Sequence, residues 1–370
     1  MRPLREAIRD VLRSAVRAAA ASRWGRPWWR RLKRWADGER FADLDPRLGF
    51  FWERTPPEEW KMLTQAWDDS TPLPSGAAEV LRQDNAELLD LRARYASANG
   101  VPAPWLWDRR HLAAELDLRF FRGDTAYVWQ YRDLPRATRL KFYLAARYVH
   151  ERDRPGLLQK LGEDGAFGCW TYRYPGLPPV SRDLLDSVNE LLFLDRQLGV
   201  LSRPGLRILD IGAGYGRLAW RAAQALPNLA DYCCVDAVPE STFLCRYYLR
   251  HRAASPPART VALDQLDAAL QGAAFDLVCN IHSFSECTYE SVKWWFERIE
   301  PLRVPHLFVV PNEETGFLST EPDESRRDLM PLVTAAGYEL VCREPVYGDP
   351  AVRELLGIDD HFHLFKLRGA

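Results

Sequence analysis

Short apolar runs alternate with helix-length amphipathic segments throughout the second half of the chain. After Pro204 the runs are Arg207–Ile211, Tyr232–Val235, Thr260–Leu263, Phe275–Ile281, His306–Val310, Tyr338–Arg343 and His361–Leu367. Helical periodicity fills Leu218–Leu226, Thr242–Arg252, Ser291–Ile299 and Asp328–Ala336 between them. This strand–helix alternation predicts a doubly wound, mostly parallel α/β sheet. The last two runs are joined without a clear long helix, which predicts an antiparallel pair at the end of the sheet. Such sheets bind ligands beyond the carboxyl ends of their strands. The residues that follow each run are therefore the candidates for chemistry.

Before Pro204 the pattern is mostly helical. Thr55-Pro56-Pro57-Glu58 is a capping box with proline at the first helical position, and Trp60, Leu63 and Trp67 supply its buried face. A helix is expected over Ala77–Ala96, another from Pro135 to about His150, and a third over Arg182–Leu198, capped by Ser181. The expected organisation is a helical region at 1–180, serving as an acceptor-binding or cap domain, and a sheet domain at 181–370. At the extreme N-terminus Arg5, Arg9, Arg13 and Arg17 share one helix face, opposite Leu4, Ile8, Val11, Leu12 and Ala15. Trp24, Trp28, Trp29 and Trp35 follow. Three readings fit: a helix that docks on a membrane surface or a partner, a terminal helix packed on the body with its arginines in solvent, or a cleaved transit peptide, which Glu6 and Asp10 disfavour.

Composition narrows the class. A net charge of -1 gives no sign of a nucleic-acid partner, and no apolar run reaches the roughly 18 residues of a membrane span. The seven cysteines include no C-x-x-C pair. Cys233, Cys234 and Cys279 fall within strand runs, as reduced core residues of a cytoplasmic protein would.

The first run leads into Arg207–Arg217, R-I-L-D-I-G-A-G-Y-G-R. Gly212, Gly214 and Gly216 are spaced G-x-G-x-G. A dinucleotide fingerprint would be G-x-G-x-x-G, and a P-loop would end in G-K-[S/T]. Together with Asp210, two residues ahead of the first glycine, the turn points to S-adenosylmethionine. The helix that follows offers free N–H groups for the methionine carboxylate. Asp210 suits the ammonium group, and Asp236, ending the second run, suits the ribose hydroxyls. Asp264 after the third run is either an adenine contact or a plain loop acid. Tyr215 either covers the ligand or fills the loop, and Asn280 on the fourth run is a further donor-binding candidate.

Methyl transfer is an in-line displacement, and an alcohol acceptor needs its proton removed. His282 follows the fourth run and titrates near neutrality, which makes it the candidate base. A structural histidine is the competing reading. Glu286 would orient it or hold a substrate hydroxyl. Asn312 and Glu313, after the fifth run, suit a polyhydroxyl acceptor. His361 and His363 are expected to be structural and distant from the methyl group. Trp170, Tyr172, Arg173 and Tyr174 are either sugar-stacking or core residues. No spacing dictates a metal site, so Mg²⁺ is left open without support, as is the oligomeric state.

The runs V-D-A-V-P-E-S-T-F-L-C-R-Y-Y-L-R (235–250), N-I-H-S-F-S-E-C (280–287) and V-P-N-E (310–313) resemble the bacterial sugar O-methyltransferase family, which includes nanchangmycin-type deoxysugar methyltransferases. The likeness extends into Gly165–Leu198 through G-A-F-G-C-W and V-S-R-D-L-L-D-S-V-N-E. It implies a Rossmann-like class I methyltransferase fold, S-adenosylmethionine as donor bound by Gly212, Gly214, Gly216 and Asp236, and a sugar hydroxyl as acceptor. Methylation of another hydroxyl or an amine, and a non-catalytic donor-binding scaffold, are the alternatives.

Overall fold

The computed structural model describes residues 64–65, 73–97, 107, 116–123, 135–174, 176–312 and 316–369. The basic N-terminal segment, the capping box at Thr55 and Glu313 lie outside the described residues.

Seven strands form the central sheet: β1 (Leu206–Ile211), β2 (Leu229–Val235), β3 (Ala258–Val261), β4 (Leu277–Ile281), β5 (His306–Val310), β6 (Tyr338–Pro345) and β7 (His361–Leu367). Their spatial order is β3-β2-β1-β4-β5-β7-β6. β1 to β5 pair in parallel, while β7 is antiparallel to both β5 and β6. The result is the Rossmann-like sheet expected from the alternation, with its antiparallel strand at the expected end. The winding reverses between β1 and β4, so a crevice opens beyond their carboxyl ends.

Alternation along each strand sorts the core into two layers. Ile208, Tyr232, Cys234, Leu277, Cys279 and Phe308 face one way, toward helices α3 (Arg182–Leu198), α4 (Arg217–Ala225) and α5 (Pro239–His251). Leu209, Ile211, Cys233, Val278, Leu307 and Val309 face the other, toward α6 (Tyr289–Ile299) and α7 (Met330–Ala335). Helices α1 (Ala86–Ser97) and α2 (Pro135–Arg152) contribute Leu88, Leu91, Ala146 and Val149 to the first layer. Most buried apolar residues before α3 thus share one continuous apolar cluster with the sheet. All seven cysteines are free, five of them buried.

Three expectations need correction. The helix expected over Ala77–Ala96 is two pieces, Ala77–Val80 and α1. Asn85 breaks it, because its side chain donates to Val80 O (3.0 Å) and accepts from Glu87 N (2.9 Å), replacing helical bonds. The third strand starts and ends two residues early. The Leu263 N–H donates to the Tyr95 hydroxyl (3.0 Å) instead of a ladder partner, which puts Asp264 in a 3₁₀ turn. Finally, the last strand is not remote from the ligand edge. An antiparallel strand begins where its parallel neighbours end, so the residue before His361 arrives at the crevice.

Candidate functional site

The cleft beyond β1 and β4 has a volume of about 1150 Å³ including its open mouth. Its floor is the turn between β1 and α4. Gly212, Gly214 and Gly216 all have positive φ, at 72°, 57° and 84°. At Gly212 the need is also steric, since a Cβ there would overlap the Ser283 side chain. The turn is pinned from two sides. Gly212 N and Ala213 N both donate to Val235 O (2.9 and 3.2 Å). Asn280, fully buried, donates to Ile211 O (2.8 Å) and accepts from Phe284 N (3.0 Å), tying β1 to the turn after β4.

Asp236 follows β2 at the cleft wall. Its two oxygens accept from Gly214 N (2.9 Å) and Val238 N (2.8 Å), so the carboxyl holds the glycine turn in place. Burial pushes its pKa up to about 7, against those backbone bonds. Burial likewise lifts Asp210 to about 7, although Tyr232 donates to it at 2.9 Å. Tyr215 turns its ring into the core against Phe121 and Tyr248, and its hydroxyl donates to Asp183 (2.6 Å). Asp264 stands outside the cleft lining and forms a two-point ion pair with Arg94 (2.7 and 3.0 Å).

Beneath the turn lies a buried charge network that sequence periodicity does not reveal. Arg122, Arg221 and Glu163 are all shielded from solvent. Glu163 accepts from Arg122 (2.8 Å), Arg221 (2.8 Å) and Ser181 (2.6 Å). Burial opposes its ionisation, but the two guanidinium groups prevail and hold its pKa at about 2. Asp183 continues the network, accepting from Arg122 Nε at 2.8 Å.

The opposite wall follows β4. His282 adopts φ 66°, ψ -37°, a strained geometry for a residue with a side chain. Its N–H donates to Val310 O (2.7 Å), and its Nε2 lies 3.5 Å from Asp360 Oδ2, just ahead of β7. Burial acts to lower the imidazole pKa, yet the Asp360 carboxylate outweighs it and the net shift is upward. Glu286 accepts from Trp107 Nε1 (2.7 Å) and Asn312 Nδ2 (3.0 Å). Among the described residues before α3, only Trp107 lines the cleft. The aromatic cluster at 170–174 does not. Trp170, Tyr172 and Tyr174 are core residues, with Tyr172 stacked on Phe142 at 4.7 Å between centroids.

The structure therefore brings Asp210, Gly212, Gly214, Tyr215, Asp236, His282 and Glu286 to one cleft. It gives Asn280 a clamping position and Asp264 a partner elsewhere. Trp107 lines the cleft and Asp360 stands behind its wall against His282, and neither carries a local sequence signal. Among the described residues no group of three or more His, Cys, Asp or Glu is placed to hold a metal ion. None of the described helices is long and apolar enough to cross a membrane.

No protein-family model matches the chain, and no curated protein does. Solved structures resemble it over about half its length. The cyclase SpnF shares 18% identity, covering 50% of this chain and 83% of its own, with a TM-score of 0.37. A S-adenosylmethionine-dependent methyltransferase from Clostridium acetobutylicum shares 13%, covering 48% and 90%, with a TM-score of 0.36. An O-methyltransferase family protein from Burkholderia thailandensis shares 13%, covering 50% and 59%, also at 0.36. Likeness of this degree says nothing of reaction or acceptor, which rest on the residues of the cleft.

Proposed function

We propose that this protein is an S-adenosylmethionine-dependent O-methyltransferase that acts on a sugar hydroxyl. The observation that carries the reading is the pairing, across one cleft at the switch point of the sheet, of the Asp236-pinned glycine turn with the His282–Asp360 pair. The glycine turn lets a bulky ligand approach backbone, and the N-terminus of α4 offers free N–H groups to a carboxylate. Asp236 keeps lone pairs for two vicinal hydroxyls besides the backbone bonds it accepts. When bound, the donor supplies an electrophilic methyl on a sulfonium.

The opposite wall would handle the acceptor. With Nε2 held by Asp360, Nδ1 of His282 is the nitrogen left to take the hydroxyl proton as oxygen attacks the methyl carbon. The sulfur keeps the bonding pair, leaving S-adenosylhomocysteine, the methyl ether and an imidazolium stabilised by Asp360. Glu286, fixed by Trp107 and Asn312, stands four residues on and suits a second hydroxyl. Residues 236–241 at the head of one family-like run and 281–287 in the other contribute to these two walls, and the family likeness supports a sugar as acceptor.

Calorimetry with S-adenosylhomocysteine tests the donor. Mass spectrometry with methyl-labelled S-adenosylmethionine and a panel of free, nucleotide-linked and glycosidic sugars then tests the reaction. The expected results are saturable binding and a labelled methyl ether whose formation His282→Ala abolishes. Absence of binding overturns the donor. Full turnover by His282→Ala overturns the base.

A further inference from the structure

We propose that Asp183 holds the ammonium group of the donor's amino-acid end, an assignment that rests on the donor reading above. Asp183 sits in the first turn of α3 and lines the cleft beside Gly214 and Tyr215. It is 2% exposed. Oδ2 accepts from Arg122 Nε (2.8 Å) and from the Tyr215 hydroxyl (2.6 Å). Oδ1 is buried and has no hydrogen-bond partner among the described residues. A buried carboxylate oxygen without a donor is costly, and structures retain few of them without a reason.

The other carboxylates at this wall are occupied differently. Asp236 spends an oxygen on each of two backbone N–H groups. Asp186 pairs with Arg182 at 3.4 Å. Asp210 accepts from Tyr232, and its burial favours the neutral acid, a poor partner for a cation. Asp183 is instead kept in place. Arg122, its partner, is itself held by Glu163 (2.8 Å) and Ala166 O (3.2 Å), and Tyr215 belongs to the glycine turn. The carboxylate is fixed at the cleft lining, and its second oxygen still lacks a donor. A ligand ammonium meets that need with a charge-assisted bond. It would stand next to the N-terminus of α4, where the carboxylate of the same amino-acid group is expected.

The test compares S-adenosylhomocysteine with its desamino analogue, using the full chain and isothermal calorimetry. Wild-type protein should prefer the amino form by about 10–100-fold, the range for a hydrogen bond to a charged group. Asp183→Asn should bring that ratio close to one. Its affinity for 5′-methylthioadenosine, which lacks the amino-acid end, should stay unchanged and so report an intact fold. Asp183→Glu keeps a charge for Arg122 but displaces the oxygens by a methylene, and it should lower the ratio as well. A ratio unchanged in both variants overturns the assignment, as does a ratio that collapses in Asp210→Asn instead. Loss of all three ligands together in both Asp183 variants also overturns it, in favour of a structural role. Wild-type protein that binds none of the three overturns the donor reading itself, a distinct result.

Discussion

Gly212→Ala puts the geometry of the glycine turn to a quantitative test. Gly212 has φ 72°, and left-handed backbone costs alanine roughly 1–2 kcal/mol. The new Cβ would also overlap Oγ and Cβ of Ser283, and overpacking of this kind costs roughly 1–3 kcal/mol. Neither side yields easily. Gly212 N and Ala213 N are bonded to Val235 O, and Asn280 ties β1 to the turn that carries Ser283. The two contributions sum to about 2–5 kcal/mol of lost stability. Urea titration followed by tryptophan fluorescence at pH 7 measures it. Adding Ser283→Gly should restore the steric share and leave the backbone share, so a double-mutant cycle separates them. If Gly212→Ala lies within about 0.5 kcal/mol of wild type, the surface-substitution range, the reasoning about the turn fails. It fails equally if the two changes prove additive.

Three further expectations concern charge. Asp360→Asn should lower the His282 pKa, because its carboxylate is what raises the imidazole against burial, while Glu286 adds to the rise and Arg182 opposes it. NMR titration of the ring protons, assigned with His282→Gln, should show the midpoint moving to lower pH; an unmoved midpoint would refute the pair. Asp210 has a folded pKa near 7, above its unfolded value, so its cost to stability sets in as pH rises past about 4 and is complete near 7. Asp210→Asn should therefore gain on wild type across that window, by about 4 kcal/mol at most, and a flat difference in urea stability would contradict the burial argument. Glu163→Ala leaves Arg122 and Arg221 buried without their shared anion and should cost about 3–5 kcal/mol, read by the same titration; a loss below about 1 kcal/mol would show the network to be dispensable.

Strand runs, the glycine turn and the Ser181 cap were legible because each is a local signal. Period-two and helical periodicities mark the elements, and Ser181 does accept from Leu184 N at 3.0 Å. Asp236 was legible by position, as the residue that ends the second run. The two readings of Asp264 could not be separated in sequence, because where its strand stops, at Val261, and the claim of distant Arg94 on its carboxylate are tertiary facts. Tyr172 and Tyr174 carry no mark in sequence that separates a stacking platform from a core ring.

The sequence by itself determined the alternating α/β architecture, the placement of the glycine turn after the first long strand, and the acid that follows the second. Those features depend on neighbours within a few residues. Only the tertiary structure decided that Asp360 meets His282, that Trp107 reaches Glu286, and that Arg122 and Tyr215 fix Asp183 with one oxygen unpaired. These partners are separated by between 32 and 179 residues. No local pattern encodes such a meeting. It is set by the sheet order, by the antiparallel direction of β7, and by the demand that every buried charge find a partner.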